Sequence, residues 1–143
     1  MIRLLTTCVL LCLSTVSFAH EGAEGVVKER MDRFKENKEA MKAIKGNPAG
    51  DTAVIAQKAS EIEAWAKEMV NFFPEGSTQP PSEALPAIWK EFDRFTDLAS
   101  ANEKAAANLK NLSLSGAADR GALIGAFRSL GKTCKDCHND YKE

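Results

Sequence analysis

The chain has 143 residues, with 19 Lys and Arg against 20 Asp and Glu and a formal net charge of −1. This balance, with no basic stripe, argues against nucleic acid as a partner, and the length fits one domain. Ala, Lys and Glu are plentiful while Val, Ile and Tyr are sparse, the composition of a helical protein.

The first nineteen residues read as a secretory signal. Arg3 supplies a charged start, Leu4, Leu5 and Val9 to Leu13 an apolar run, and Ser17-Phe18-Ala19 a small-x-small exit site. The apolar run is shorter than the ~20 residues a membrane span needs. Neither Cys8 nor Cys12 follows the small residue that precedes a lipidated cysteine. Cleavage after Ala19 removes Arg3 and leaves 124 residues, 20–143, with 18 Lys and Arg against 20 Asp and Glu, a net charge of about −2. That segment has no second apolar run long enough for a membrane. His20 would begin it. Its amine and ring could chelate copper, but no second free His is at hand, and it reads as a solvated end beside Gly22 and Gly25.

Breakers divide the remainder into four helical segments, each about 30 Å long. The breakers are Gly46-Asn47-Pro48-Ala49-Gly50, then 74–81 with its three prolines, then Ser113-Leu114-Ser115-Gly116. The first segment, Val26 to Lys45, places Val27, Met31, Phe34, Met41 and Ile44 on one face. The second starts at Asp51, an N-cap residue, and repeats Ile55, Ala59, Ile62, Ala66, Met69 and Phe73. The third starts near Ser82, with Pro86 tolerated in its first turn, and carries Ile88, Phe92, Phe95, Ala99, Asn102, Ala106 and Leu109. The fourth starts near Asp119 and aligns Leu123, Phe127, Leu130, Cys134, Cys137 and Tyr141 with His138. One apolar stripe per helix is buried mutually, so the expected fold is all-α, an antiparallel four-helix bundle. Gly121, Gly125 and Gly131 each cost the last helix up to ~1 kcal/mol. They either admit a close neighbour or mark a frayed or kinked helix.

Within that last stripe stands Cys134-Lys135-Asp136-Cys137-His138, a C-x-x-C-H run and the attachment signature of a c-type haem. Two thiols three positions apart on a helix can each add to one haem vinyl group, and the adjacent imidazole can reach the iron as an axial ligand. Rival uses of the pair are weaker. A structural zinc site needs four ligands, and beyond these three residues only His20 remains. A thioredoxin-like pair needs a preceding strand, and a disulfide here would ignore His138.

The four-helix pattern ending in this motif resembles the cytochrome c′ family of class II c-type cytochromes. Supporting segments are Val27-Lys28-Glu29-Arg30 with Phe34, Phe72-Phe73-Pro74-Glu75-Gly76-Ser77, Pro86-Ala87-Ile88-Trp89, and Ala126-Phe127 through Leu130-Gly131-Lys132-Thr133. The resemblance covers nearly all of the chain after the signal. It implies one covalent haem c on Cys134 and Cys137, His138 as the iron ligand, and Phe34 over the distal face. It also implies a periplasmic protein. Arg30 is a candidate haem contact.

A Phe ring has no lone pair for iron. Phe34 therefore implies a five-coordinate, high-spin haem open to small gases such as nitric oxide and carbon monoxide, which can also exchange electrons with redox partner proteins. The alternative is a six-coordinate, low-spin electron carrier with a Met distal ligand. Met31 is one turn from Phe34, whereas Met41 lies about 10 Å along the helix. An enzyme is not expected, because peroxide chemistry wants distal acid–base groups and only Arg30 or Lys38 is near. Family members are often homodimers, for which apolar residues of the first two helices are candidates. Lys142, where the family carries Arg, keeps the charge and loses the planar fork. Asp136, Asp140, Lys104 and Lys110 read as solvated surface charges.

Overall fold

The computed structural model describes residues 22–47, 50–116 and 119–143; the signal segment and His20 lie outside them. The helices are α1 (Gly25–Lys45), α2 (Thr52–Glu68), α3 (Ala87–Lys90), α4 (Phe92–Leu114) and α5 (Arg120–Tyr141). A 3₁₀ turn, Met69–Phe72, extends α2. The four long helices form the expected bundle. No helix among the described residues is long and apolar enough to cross a membrane.

Local chemistry sets the boundaries. The Asp51 carboxylate accepts from the Ala53 and Val54 amides at 2.9 and 3.3 Å, and Asp119 accepts from Ala122 at 2.7 Å. Each cap satisfies backbone donors that a helix start leaves free. Beyond the other end of α4, Gly116 takes φ +64°, the left-handed conformation that glycine adopts without strain.

The third segment departs from expectation. Residues 82–85 do not start a helix. Pro86 caps the one-turn α3, and the chain bends at Glu91 (φ −129°, ψ 40°) before α4 begins. Two causes act together. Leu85 precedes a proline, which disfavours helical geometry. The Leu85 amide also donates to Tyr141 O at 3.0 Å, while Glu143 N donates to Glu83 O at 3.0 Å. These tertiary bonds clasp the end of α5. Phe73 likewise falls outside α2 yet stays buried. Phe92, expected in the stripe, is exposed at 40% because the bend turns it outward.

The core has two ends. At one, Ala40 and Ile44 of α1 meet Ile55, Ala59 and Ile62 of α2, Ala106 and Leu109 of α4, and Ala126 and Leu130 of α5. Full burial of Ile62, Leu109 and Leu130 stabilises the bundle by roughly 1.5–3 kcal/mol each. At the other end the packing is aromatic: Phe73, Ile88, Phe95 and Tyr141, with Trp65, Met69 and Ala99 beside them. α4 packs on both α2 and α5, and α1 packs on α2, but no Cα of α1 lies within 8 Å of one in α5. Lys110, expected at the surface, is half-buried and joins α4 to α2 through Glu63 at 2.5 Å.

No helix crowds the α5 glycines. A Cβ at Gly125 would meet nothing within 4 Å, and one at Gly131 only the Met41 methyl at 3.8 Å. Gly125→Ala is therefore expected to raise the unfolding free energy by up to ~1 kcal/mol, measured as a shift in denaturant midpoint at constant slope.

Candidate cofactor site

The last turns of α5 present Cys134, Cys137 and His138 together. Both thiols are free and half-buried, and His138 is exposed. Cys137 packs against the aromatic cluster of Phe73, Ile88, Phe95 and Tyr141. Burial pushes its thiol up to about 11, with nearby Cys134 and Asp140 adding to the shift. Burial also raises the Cys134 thiol, partly opposed by a hydrogen bond from Asn102. Contact with surrounding protein lowers the His138 pKa, Lys142 lowers it further, and Glu83 opposes.

Across the bundle, Phe34 of α1 is half-buried and touches both aromatic groups. Its ring stands edge-on to Trp65 at 5.4 Å and to Phe73 at 6.3 Å. Phe34 and Cys137 thus pack on one cluster from opposite helices, at the end where α1 and α5 stand apart. Met31 is half-buried and belongs to none of the apolar clusters among the described residues. Met41 packs at the other end of the bundle.

Arg30 lies one turn before Phe34 and is only 2% exposed. Its guanidinium donates to Ser77 Oγ and Ser82 Oγ, both at 2.6 Å, to Phe72 O at 3.3 Å, and to Ser77 O. It also sits 4.7 Å from the centre of the Phe73 ring. Burial lowers its pKa. Every acceptor is neutral, and no ion pair reaches it among the described residues. A buried charge without a counter-ion is costly, so this position fits an anionic group. The buried Trp65 Nε1 likewise has no acceptor among the described residues. An apolar macrocycle with acidic side arms suits such a lining: aromatic faces for the ring, a cation and an orphaned donor for the acids, two thiols for attachment and an imidazole for a metal.

Three features of the site are not legible in the sequence. Arg30 sits in the interior, where the stripe pattern predicts only apolar residues. Asn102, expected as one stripe position among others, contacts Cys134. Lys142 pairs with Glu83 at 2.7 Å, beside the clasp on α5, while its amide donates to His138 O at 3.2 Å. The acids read as solvated are engaged at the surface: Asp140 with Arg94 and Asp136 with Lys132, both at 2.6 Å.

Comparison with known proteins points one way. The family profile for cytochrome c′ matches residues 25–142. Cytochrome c′ of Rhodospirillum rubrum is 31% identical over 98% of this chain and 97% of that protein. Cytochrome c-554 of Cereibacter sphaeroides is 37% identical over 65% of this chain, an alignment that spans 61% of that relative. The structure of cytochrome c prime from Shewanella frigidimarina superposes with a TM-score of 0.72 at 30% identity, covering 82% of this chain and 94% of that one.

Arg30→Met is expected to lower stability by about 1–3 kcal/mol, because Ser77 O and Phe72 O lose their donor inside the protein. Arg30→Lys, with charge but no fork, should fall between the two in chemical denaturation.

Proposed function

Because the chain belongs to the cytochrome c′ family, whose members carry one covalently bound haem c, we propose that Cys134 and Cys137 hold that haem and His138 ligates its iron. Phe34 covers the opposite face without supplying a donor. The protein is then a periplasmic c-type cytochrome that takes small uncharged gases, nitric oxide and carbon monoxide among them, and exchanges single electrons with partner proteins. Export follows from residues 1–19 acting as a cleaved signal. The haem supplies a one-electron couple and an iron site for the gas; the chain supplies attachment, orientation and selection.

The observation that carries this reading is the shared packing of Phe34 and Cys137 on one aromatic cluster. It favours Phe34 as the side chain facing the haem from α1. A phenyl ring has no lone pair to offer the metal. Phe34 packs on Trp65 and Phe73, and Val70 and Phe72 pack on the same apolar clusters. A small neutral gas enters such a space at little cost, whereas an anion loses its hydration. Met31, the donor required by a low-spin carrier, is half-buried and lies outside these clusters, and the optical spectrum separates the two readings. The same lining speaks against peroxide turnover, which needs acid–base groups beside the iron; the guanidinium of Arg30 keeps its protons and cannot serve as a base.

The outward groove between α1 and α2 is lined by Asp32, Lys35, Glu36, Glu39, Lys58 and Glu61 with two alanines. A homodimer that used this groove would carry ion pairs beside any apolar contact between the first two helices, and would weaken as salt rises.

The test is the optical spectrum of the reduced protein with and without nitric oxide. A five-coordinate high-spin spectrum that changes on adding the gas is expected. A six-coordinate low-spin spectrum at neutral pH would overturn the reading. Phe34→Met should convert the first spectrum into the second. It should also slow carbon monoxide binding at least about tenfold, the effect of a competing bond worth roughly 1.4 kcal/mol.

A further inference from the structure

Asn102 stands between Ala99 and Ala106 in the buried stripe of α4 and is 7% exposed. Its Nδ2 donates to Thr133 Oγ1 at 2.8 Å and to Cys134 Sγ at 3.4 Å. An amide nitrogen has two protons, one for each partner. The orientation is fixed by the next link, since Thr133 Oγ1 donates its own proton to Leu130 O at 2.7 Å. Turning the amide over would set its oxygen against the Thr133 oxygen at 2.8 Å, whose only proton is already directed at Leu130 O. A polar group at this depth is costly unless its hydrogen bonds are made, and both of these go to consecutive residues at the start of the attachment motif. No side chain donates to Cys137 Sγ among the described residues; that sulfur is held by apolar packing.

We propose that Asn102 is a positioning residue for the first thioether, its amide fixing the Cys134 sulfur on the α5 side of the cleft both before and after the bond to haem is made. The inference rests on the reading that Cys134 carries the haem. In the attachment, the Cys134 S–H adds across a vinyl group. A carbon–sulfur bond forms as the carbon–carbon π bond breaks, and the thiol proton passes to the other vinyl carbon, so no electrons are gained or lost overall. The sulfur gives up its only proton and keeps its lone pairs. A neighbour that accepted from the thiol would lose its partner at this step. A neighbour that donates, as Asn102 does, keeps its contact with the weakly accepting thioether. One sulfur of the motif is thus held by a directed bond and the other by shape.

The test compares the two carbon–sulfur stretching bands in the resonance Raman spectrum of the reduced holoprotein. Asn102→Leu removes the donor at nearly constant volume and leaves the Thr133–Leu130 bond in place. It should shift one band and leave the other. Thr133→Val removes the other partner of the amide and a weaker hydroxyl contact with Cys134, so it should shift the same band by clearly less than Asn102→Leu does while lowering thermal stability. Bands that stay put in Asn102→Leu, bands that move together, or an equal shift in Thr133→Val would reduce Asn102 to packing between α4 and α5 and overturn the proposal. Where Asn102→Leu does not accumulate, Asn102→Ser, too short to reach Cys134, takes its place: one band shifted alone supports the proposal, and any other pattern overturns it. Absence of any covalent haem in the parent protein would instead remove the reading on which the proposal stands.

Discussion

The separation of α1 from α5 organises this molecule. A four-helix bundle closes its ring when the first and last helices meet, yet here their Cα atoms stay more than 8 Å apart. At one end side chains fill the gap: Ala40, Met41 and Ile44 share one cluster with Ala126, Leu130 and Phe127, and the Met41 methyl would stand 3.8 Å from a Cβ at Gly131. At the other end the packing is aromatic, with Phe34 on α1 and Cys137 on α5 both against the cluster that holds Tyr141. The bundle thus has a sealed half that stabilises it and an aromatic half that can receive a flat apolar group.

Several contacts outside the helices keep the aromatic half in register. Residues 83–85 run beside the end of α5 and take its last backbone partners. Trp89 donates from its indole to Phe73 O at 2.9 Å, and Tyr141 donates to Glu91 at 3.0 Å. Arg30 ties α1 to the loop after α2 through Ser77 and Ser82. Residues in the loop around Ser77 and in the segment after Pro81 therefore position a helix face to which they do not belong. Irregular backbone is used here to hold groups that regular helices alone would leave loose.

The four long helices, their bundle and the attachment motif were legible because each rests on short-range chemistry. Asp51 and Asp119 cap helices for reasons visible within three residues of each. The α4 stripe from Phe95 to Leu109 repeats with the helical period. What escaped was set by distant partners. Residues 82–85 are extended because the C-terminus binds them, a pairing across more than fifty residues that no local pattern announces. Arg30 reads as a candidate haem contact, and its burial under Ser77 and Ser82 comes only with the tertiary fold. Asn102 reads as one more position of the α4 stripe until α5 brings Thr133 and Cys134 to it. In each case tertiary hydrogen bonding overrode local propensity, and each exception lies at the cofactor end of the bundle.

A porphyrin linked by two sulfurs to α5 within that aromatic half is what every functional step here requires. Denaturing mass spectrometry of the purified exported protein, followed by peptide mapping, tests this directly. The expected result is the mass of one haem added to the chain and retained on the peptide that contains Cys134 and Cys137. An unmodified mass, or a haem released on denaturation, would contradict it.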